Sequence, residues 1–263
     1  SFDAILQRQH AGDSFEPLID VTISPHEIKV ADNGKGMSVS ELRNNFWKAG
    51  SSSKNTAEAQ AAGVVGTFGI GAMANFGIAS TLTVETESFE SRERTVCFAE
   101  KATLSVTEEC ITFKQAEPTG EYGTTILASI AQGSEVDVHA ATEYIREFVK
   151  YLRFPVRVNG VVVSLNDMSS AVAGFPQAWK TSGKGVSFGQ GMAGDFELEV
   201  AGTGDVRIAL SNIMVDSTPF EGRAILRQNT GSIMTYRNAF GLATAAVASR
   251  YNLGGVADFL FFK

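Results

Sequence analysis

Hydrophobic and polar positions recur with two different periods along the first half of the chain. Residues 1–9 place Phe2 and Ile5 on one face, a spacing that predicts a helix. Residues 18–24 and 27–31 alternate as a pair of strands, the second running directly into a glycine-rich turn. Further strands are predicted at residues 81–87, 95–100, 104–113 and 124–130.

The second half of the chain has a similar mixture of periods. A helix is predicted over residues 141–152, and residues 156–165 predict a hairpin that turns at Asn159-Gly160. Residues 170–194 are rich in Gly, Ser and Ala and predict no definite element. Further strands are predicted at residues 196–200, 206–210, 232–236 and 259–262.

The length of 263 residues is sufficient for two domains. The small polar residues 132–134 mark the junction between them. We therefore predict two α+β domains, residues 1–131 and residues 132–263.

A helix start and a long polar segment lie between the predicted strands of the first domain. Ser38 and Glu41 have the spacing of a capping box and predict a helix that runs to about residue 47. Residues 48–65 are small and polar, and this segment is longer than an ordinary connection. We interpret it as a functional lid.

Composition narrows the class of protein. Hydrophobic residues make up 44% and charged residues 19%, which predicts a packed core. No apolar run reaches the roughly 18 residues of a membrane span and no signal peptide is evident, so we expect a cytoplasmic protein without membrane contact. Cys97 and Cys110 then favour reduced thiols over a disulfide. The three histidines are scattered and lack metal-ligand spacing.

Charge is distributed unevenly between the two predicted domains. Residues 1–131 hold 10 basic and 17 acidic residues, whereas residues 132–263 hold 12 of each. An acidic first half argues against a nucleic-acid partner, because such binding depends on neutralising phosphates with basic residues.

The first chemical signal is the sequence Asp-Asn-Gly-Lys-Gly-Met that begins at Asp32, at the end of a predicted strand. A carboxylate there can accept a hydrogen bond from an exocyclic amine, while Gly34 and Gly36 allow the backbone to pass close to a flat ring. An ordinary strand-ending turn has the same residue types, so this signal alone leaves both readings open.

The second signal is the sequence Gly-Thr-Phe-Gly-Ile-Gly at residues 66–71, which precedes a predicted helix. Backbone N–H groups in such a turn can point at phosphate oxygens, although glycines also serve close helix packing. A P-loop is excluded because Ala72-Met73 follow the last glycine, where Lys and Ser or Thr are needed. A dinucleotide fingerprint is excluded because no apolar strand leads into the turn.

The third signal, Gly123-Thr124 at the start of a predicted strand, gains meaning only from its order among the others. The series is Asp3-Ala4, Asp32-x-Gly34-x-Gly36, Gly66-x-Phe68-Gly69-x-Gly71 and Gly123-Thr124. It resembles the motif series of the Bergerat-fold (GHKL) ATPases, which include gyrase, histidine kinases, MutL-type repair proteins and heat-shock chaperones. Residues 44–54 and 66–73 most resemble the lid of the ninety-kilodalton heat-shock chaperones. The resemblance implies a Bergerat ATP-binding sandwich in residues 1–131.

The resemblance also implies roles for individual residues. Asp32 would accept the adenine amino group, Gly36 and Met37 would border the ring, and Thr124 would join through water. Lys48 would reach phosphate from the base of the lid, unless it is an ordinary solvated charge. The nucleotide-binding set implied in this way is Asp3, Asp32, Gly34, Gly36, Met37, Lys48, Lys54, Gly66, Phe68, Gly69, Ile70, Gly71 and Thr124.

Two catalytic groups of the family are expected outside these residues. The family's first motif reads Glu-x-x-x-Asn-x-x-Asp-Ala, and only its tail resembles Asp3-Ala4. Its general base and its magnesium ligand would therefore precede Ser1. We expect residues 1–263 alone to retain part of a nucleotide site and to hydrolyse ATP poorly or not at all.

The second half resembles the middle domain of the same chaperones, at residues 151–156, 232–237 and 251–258. That resemblance implies a ribosomal protein S5 domain 2-like fold. Arg227 or Arg237 could approach the γ-phosphate, although surface or packing roles are the ordinary reading for an arginine.

Taken together, the resemblance implies Mg²⁺-dependent hydrolysis of ATP to ADP that drives conformational change in a chaperone assisting protein folding. It further implies client proteins as partners and a homodimer in the full-length protein. Two alternatives remain open: a DNA-associated ATPase of the gyrase or MutL kind, and a nucleotide-gated regulatory or defence module.

Overall fold

The computed structural model describes residues 1–47, 71–105, 109–172, 174–228, 231–246 and 250–262. The chain divides into two compact units. The first comprises residues 1–146 and 154–164, and the second comprises residues 147–153 and 165–263. The helix and hairpin that follow residue 134 therefore belong mostly to the first unit, and the predicted junction at 131/132 falls inside that unit.

Four helices are described in or adjoining the first unit. Their bounds are α1 Phe2–His10, α2 Val39–Glu41, α3 Gly71–Ala74 and α4 Val138–Val149. A π-helical turn, Leu42–Phe46, continues α2, and a 3-10 turn, Asn75–Gly77, continues α3. The Ser38–Glu41 capping box is confirmed, since the Ser38 hydroxyl accepts the Glu41 N–H and the Glu41 carboxylate accepts the Ser38 N–H.

The first unit is built on one mixed sheet of eight strands. The strands are β1 Ile19–Ser24, β2 Glu27–Asp32, β3 Ala79–Glu87, β4 Arg94–Glu100, β5 Ile111–Ala116, β6 Gly123–Ile130, β7 Val156–Val158 and β8 Val161–Val162. Their spatial order is β5-β4-β3-β6-β2-β1-β7-β8. Only the β1–β7 pair is parallel among these strands. The predicted hairpin turn is confirmed, because Asn159 and Gly160 both have positive φ, as a tight β7–β8 turn requires.

Strand register aligns the core face of this sheet into rows across β2, β6, β3 and β4. Two rows are apolar: Val30, Ile126, Val84 and Cys97 form one, and Ile28, Ala128, Leu82 and Ala99 form the next. Leu82, Val84, Cys97 and Ala99 are fully buried and pack with Leu42, Trp47 and Phe76. The next row towards the strand ends is polar and consists of Asp32, Thr124, Thr86 and Thr95. We call these four residues the polar row.

The second unit is a sheet of seven described strands. They are β9 Gln177–Gly189, β10 Met192–Ala201, β11 Val206–Val215, β12 Thr218–Arg227, β13 Ser232–Arg237, β14 Phe240–Ala246 and β15 Gly254–Phe259. The spatial order is β14-β13-β15-β12-β11-β10-β9, with β13 and β15 parallel. Helical structure in its described part is limited to the end of α4 and a 3-10 turn, Met168–Val172. The predicted ribosomal protein S5 domain 2-like fold is therefore not confirmed, whereas the mixed α and β content of the whole chain is.

Two predicted strands have bounds other than those observed, and β9, β12 and β14 lie where no strand was predicted. The strand predicted at residues 104–113 is replaced by a 3-10 turn, Lys101–Thr103, and by β5, which begins only at Ile111. The strand predicted at residues 259–262 lies instead at Gly254–Phe259, since Gly254 and Gly255 pair with Arg227 and Leu226 and do not form a turn.

Strand β9 lies in a segment without a predicted element. Gly183 pairs with Phe196, and a Cβ added at Gly183 would lie 2.7 Å from the Phe196 ring. The aromatic ring thus fills the space that a side chain would occupy, so a glycine-rich sequence can form this strand. Composition alone does not reveal that contact.

Helix α4 begins three residues earlier than expected. The Asp137 side chain accepts the Ala140 N–H at 2.9 Å and so caps the helix start. Cys97 and Cys110 are free thiols, as predicted. In the part of the chain that the structure describes, no helix combines the length and apolar character needed to cross a membrane.

Candidate functional site

Asp32 ends β2 and contributes an acidic side chain to the core face of the sheet. Its side chain is only 3% exposed. Oδ1 accepts the Gly34 N–H at 3.0 Å.

Helix α1 holds the turn that follows Asp32. The Lys35 N–H donates to the Ala4 carbonyl at 3.0 Å, and a Cβ at Gly34 would lie 2.6 Å from the Ala4 carbonyl carbon. Gly34 is thus required by contact with the helix backbone. Asp3, in the first turn of α1, is buried at 6% exposure.

Gly36 packs against the end of β3. It has φ +64°, and a Cβ there would lie 1.9 Å from the Glu87 carbonyl oxygen. The next residue, Met37, donates its N–H to the Thr86 hydroxyl at 2.9 Å. Close approach to protein backbone thus requires glycine at positions 34 and 36, and their approach to a ligand ring stays a prediction.

Gly123 and Thr124 begin β6 beside Asp32. Gly123 has φ +141°, and a Cβ there would lie 2.0 Å from the Asp32 carbonyl oxygen. Thr124 is directly opposite Asp32 on β2 and opposite Thr86 on β3. Its hydroxyl lies 2.9 Å from that of Thr86. Gly123 is therefore needed where the backbone passes close to the Asp32 carbonyl. Thr124 places a hydroxyl next to Asp32.

Lys35 links the turn to α2. Its ammonium group contacts Glu41 Oε1 at 2.7 Å. Burial alone would raise the pKa of Glu41, but hydrogen bonds from Lys35 and Ser38 together hold that pKa below its ordinary value. The capping box and this ion pair fix the helix against the turn, so Lys35 is committed to a structural contact.

The structure brings together part of the predicted set. Asp32, Gly34, Gly36, Met37 and Thr124 adjoin one another, with α1 alongside. Gly71 begins α3. The positions Lys48, Lys54, Gly66, Phe68, Gly69 and Ile70 lie outside the described residues.

The two arginines proposed as γ-phosphate contacts belong to the second unit. The Arg227 guanidinium lies over the Phe175 ring, 5.7 Å from its centroid. Arg237 ends β13, and its Nε is buried without a hydrogen-bond partner among the described residues. Their predicted role in phosphate binding stays a prediction.

Residues 16–109 match a family model described as histidine kinase-, DNA gyrase B-, and HSP90-like ATPase. The match covers Asp32 and its turn and extends past β4, while Thr124 lies beyond it. No curated protein matches the chain. The matched family supports the predicted GHKL resemblance for this region and does not distinguish chaperones from the other branches.

Thr86 is a site residue that the sequence analysis missed. The alternation of β3 places it on the same face as Leu82 and Val84, which are fully buried. A hydroxyl at a position where the period requires an apolar side chain was the available signal. Glu87 was missed as well: its carboxylate accepts the N–H groups of Thr119 and Gly120 and so holds the loop before Gly123.

The described residues contain no ligand set for a magnesium ion. In the described ranges, no three His, Cys, Asp or Glu side chains are close enough to hold a metal ion. The predicted Mg²⁺ therefore stays a prediction.

Proposed function

We propose that the first unit binds an adenine nucleotide, ATP or ADP, with the purine edge at Asp32 and Thr124. The observation that carries this proposal is the polar row, where a carboxylate that is 3% exposed continues two apolar rows of the core face. The family match over residues 16–109 supports the same ligand class.

A donor-rich ligand suits the chemistry of this row. A buried carboxylate is costly unless hydrogen bonds satisfy it, and an ionised one can accept about four. The adjacent turn supplies one hydrogen bond, from the Gly34 N–H. The exocyclic amine of adenine is a donor of this kind.

Hydrolysis is the further step of the proposal. The protein would convert ATP to ADP and phosphate with Mg²⁺ carried by the nucleotide phosphates, and nucleotide state would drive rearrangement of the chain. Support comes from the family match and from the motif order, because the described residues contribute no metal ligand set.

The biological role we favour is a chaperone that acts on client proteins as a homodimer in the cytoplasm. Its support is the likeness of residues 44–54 and 66–73 to the lid of heat-shock chaperones. Suppression of client aggregation that depends on ATP would distinguish it from a nucleotide-gated regulatory or defence module. Turnover stimulated by DNA would instead favour the gyrase or MutL branch.

Calorimetry with ADP and Mg²⁺ tests the binding proposal. Asp32→Asn should weaken ADP binding at least about tenfold, since a hydrogen bond to a charged group contributes about 1.5–3 kcal/mol and 1.4 kcal/mol is a factor of ten. Asp20→Asn is the matched control, because Asp20 lies on β1 between the buried Ile19 and Val21 and faces away from the core.

Circular dichroism should show that both variants retain the fold. An ADP affinity that is equal in wild-type protein and Asp32→Asn would refute the assignment of Asp32. Equal losses in Asp32→Asn and Asp20→Asn would indicate a nonspecific charge effect.

A further inference from the structure

Thr86 is the most highly connected hydroxyl of the polar row. Its side chain is buried, with 1% exposure for the residue. Its Oγ1 lies 2.9 Å from three groups: the Met37 N–H, the Gly123 carbonyl oxygen and the Thr124 hydroxyl. Three partners are all that one hydroxyl can satisfy, because it has one proton and two lone pairs.

The chemistry of these partners fixes the direction of each hydrogen bond. The Met37 N–H can only donate, so it occupies one lone pair of Thr86. The Gly123 carbonyl can only accept, so it takes the Thr86 proton. The Thr124 hydroxyl must then donate to the second lone pair of Thr86. The reverse direction would leave two oxygens 2.9 Å apart without a proton between them.

These directions determine which hydrogen bonds Thr124 can still form. Its single proton is directed at Thr86, and its remaining capacity is to accept hydrogen bonds. Asp32, its neighbour across the β2–β6 pair, is a carboxylate and also accepts. This end of the polar row therefore offers a ligand acceptors only.

We propose that Thr86 is a positioning residue that sets purine specificity by holding the Thr124 proton away from the ligand. This inference rests on the proposed function and deepens it. At the 6-position, a 6-aminopurine presents an amine that donates to the two acceptors directly or through water, whereas a 6-oxopurine presents there a carbonyl oxygen that can donate to neither. Without Thr86, the Thr124 hydroxyl can rotate and donate to that oxygen, so rejection of the 6-oxopurine weakens.

Thr95, in the same polar row, is a matched control for Thr86. Thr95 lies directly opposite Thr86 in the β3–β4 pair and has the same 1% exposure. Its hydroxyl has no hydrogen-bond partner among the described residues. A Thr→Val change at either position removes the same atom from the same row, but only at Thr86 does it free the Thr124 proton.

The experiment compares the affinities of ADP and inosine diphosphate by calorimetry. In Thr86→Val, the preference for ADP should fall about three- to tenfold. This is the effect expected when the Thr124 hydroxyl becomes able to donate one hydrogen bond to the 6-oxopurine. Thr95→Val should keep the wild-type preference, and Thr86→Ser, which retains the hydroxyl, should restore it. Thr86→Ala provides the same test should Thr86→Val fail to fold.

A double variant shows whether Thr86 acts through Thr124. In a Thr124→Val background, Thr86→Val should no longer change the preference, because the hydroxyl whose direction it controls is gone. A change that persists in this background would overturn the inference, and so would equal changes in Thr86→Val and Thr95→Val.

The failure of this inference is distinguishable from failure of the proposed function. If ADP does not bind, or if binding is indifferent to Asp32→Asn, the nucleotide site itself is wrong. If ADP binds in an Asp32-dependent manner and Thr86→Val keeps the full preference, only the role of Thr86 is wrong.

Discussion

An acidic side chain holds a loop against a strand in each of the two units, and the net shifts of their pKa values are opposite. Glu87, at the end of β3, accepts bonds of 2.7–2.8 Å from the Thr119 N–H, the Thr119 hydroxyl and the Gly120 N–H. Burial alone would raise its pKa, but these bonds hold the pKa below its ordinary value. In β15, burial raises the pKa of Asp258, and a 3.0 Å bond from the Ala239 N–H offsets only part of that effect.

The three loop donors outweigh the effect of burial on the pKa of Glu87, whereas the Ala239 and Asn238 N–H groups and the charges of Arg223 and Arg153 do not outweigh it for Asp258. Glu87 is satisfied by its own loop and needs no further partner. Asp32 is comparably buried, yet its own turn supplies only the Gly34 N–H. A buried carboxylate with spare acceptor capacity is the better candidate for contact with a ligand.

Gly36→Ala should have the largest effect on stability, because the added methyl group would clash with the end of β3 at Glu87. A Cβ there would lie 1.9 Å from the Glu87 carbonyl, and the φ of +64° disfavours alanine. We expect a loss of about 2–5 kcal/mol from the free energy of unfolding of the first unit. Urea unfolding followed by Trp47 fluorescence in a Trp179→Phe background reports that unit, since the chain has two tryptophans and Trp47 belongs to the first unit.

The matched control for Gly36→Ala is Gly120→Ala. Gly120 also has positive φ, at +82°, but nothing lies within 4 Å of an added Cβ. Gly120→Ala should lower the free energy of unfolding by only about 1–2 kcal/mol, the cost of a left-handed backbone conformation for alanine. Equal losses at the two glycines would mean that the contact with β3 does not matter.

Glu87→Gln removes the carboxylate at the same end of β3 and should have the second-largest effect on stability. At neutral pH we expect a loss of about 2–3 kcal/mol, because a charged acceptor of three hydrogen bonds is removed. The pKa of Glu87 is lower folded than unfolded, so its stabilisation is present above the unfolded pKa and is lost as pH falls through the folded pKa.

The urea midpoints of wild-type protein and Glu87→Gln should therefore converge as pH is lowered from 7 into the acid range. Glu90→Gln, on the exposed residue nearby, controls for net charge. A difference in midpoint that is independent of pH would contradict the assigned role of the carboxylate.

The sequence predicted much of the first unit because period and motif agreed there. Alternation gave β1, β2 and β6, and the spacing of Ser38 and Glu41 gave the helix start. The motif order identified Asp32 and Thr124, which the structure places directly opposite each other. The close contacts of Gly34 and Gly36 with protein backbone could not be predicted, because they depend on residues distant in sequence.

The rest depended on contacts between distant residues. Thr86 acquires its role from Met37, Gly123 and Thr124, none of which is near it in sequence. In the second unit, the glycine-rich β9 is stabilised by pairing with β10, which no local propensity predicts. Long-range pairing of this kind has no local sequence period to reveal it.

Asp258→Asn should have the smallest effect and the opposite dependence on pH. The folded pKa of Asp258 is above its unfolded value, so its contribution is fully present below the unfolded pKa and is lost as pH rises through the folded pKa. At neutral pH, asparagine keeps an acceptor for the Ala239 N–H and removes the cost of the buried charge. We therefore expect a change within about 1 kcal/mol. Hydrogen exchange at the Ala239 amide, corrected for its intrinsic pH dependence, should lose protection with rising pH in wild-type protein and not in Asp258→Asn. The same slope in both proteins would show that the two carboxylates differ in location and not in how their donors balance burial.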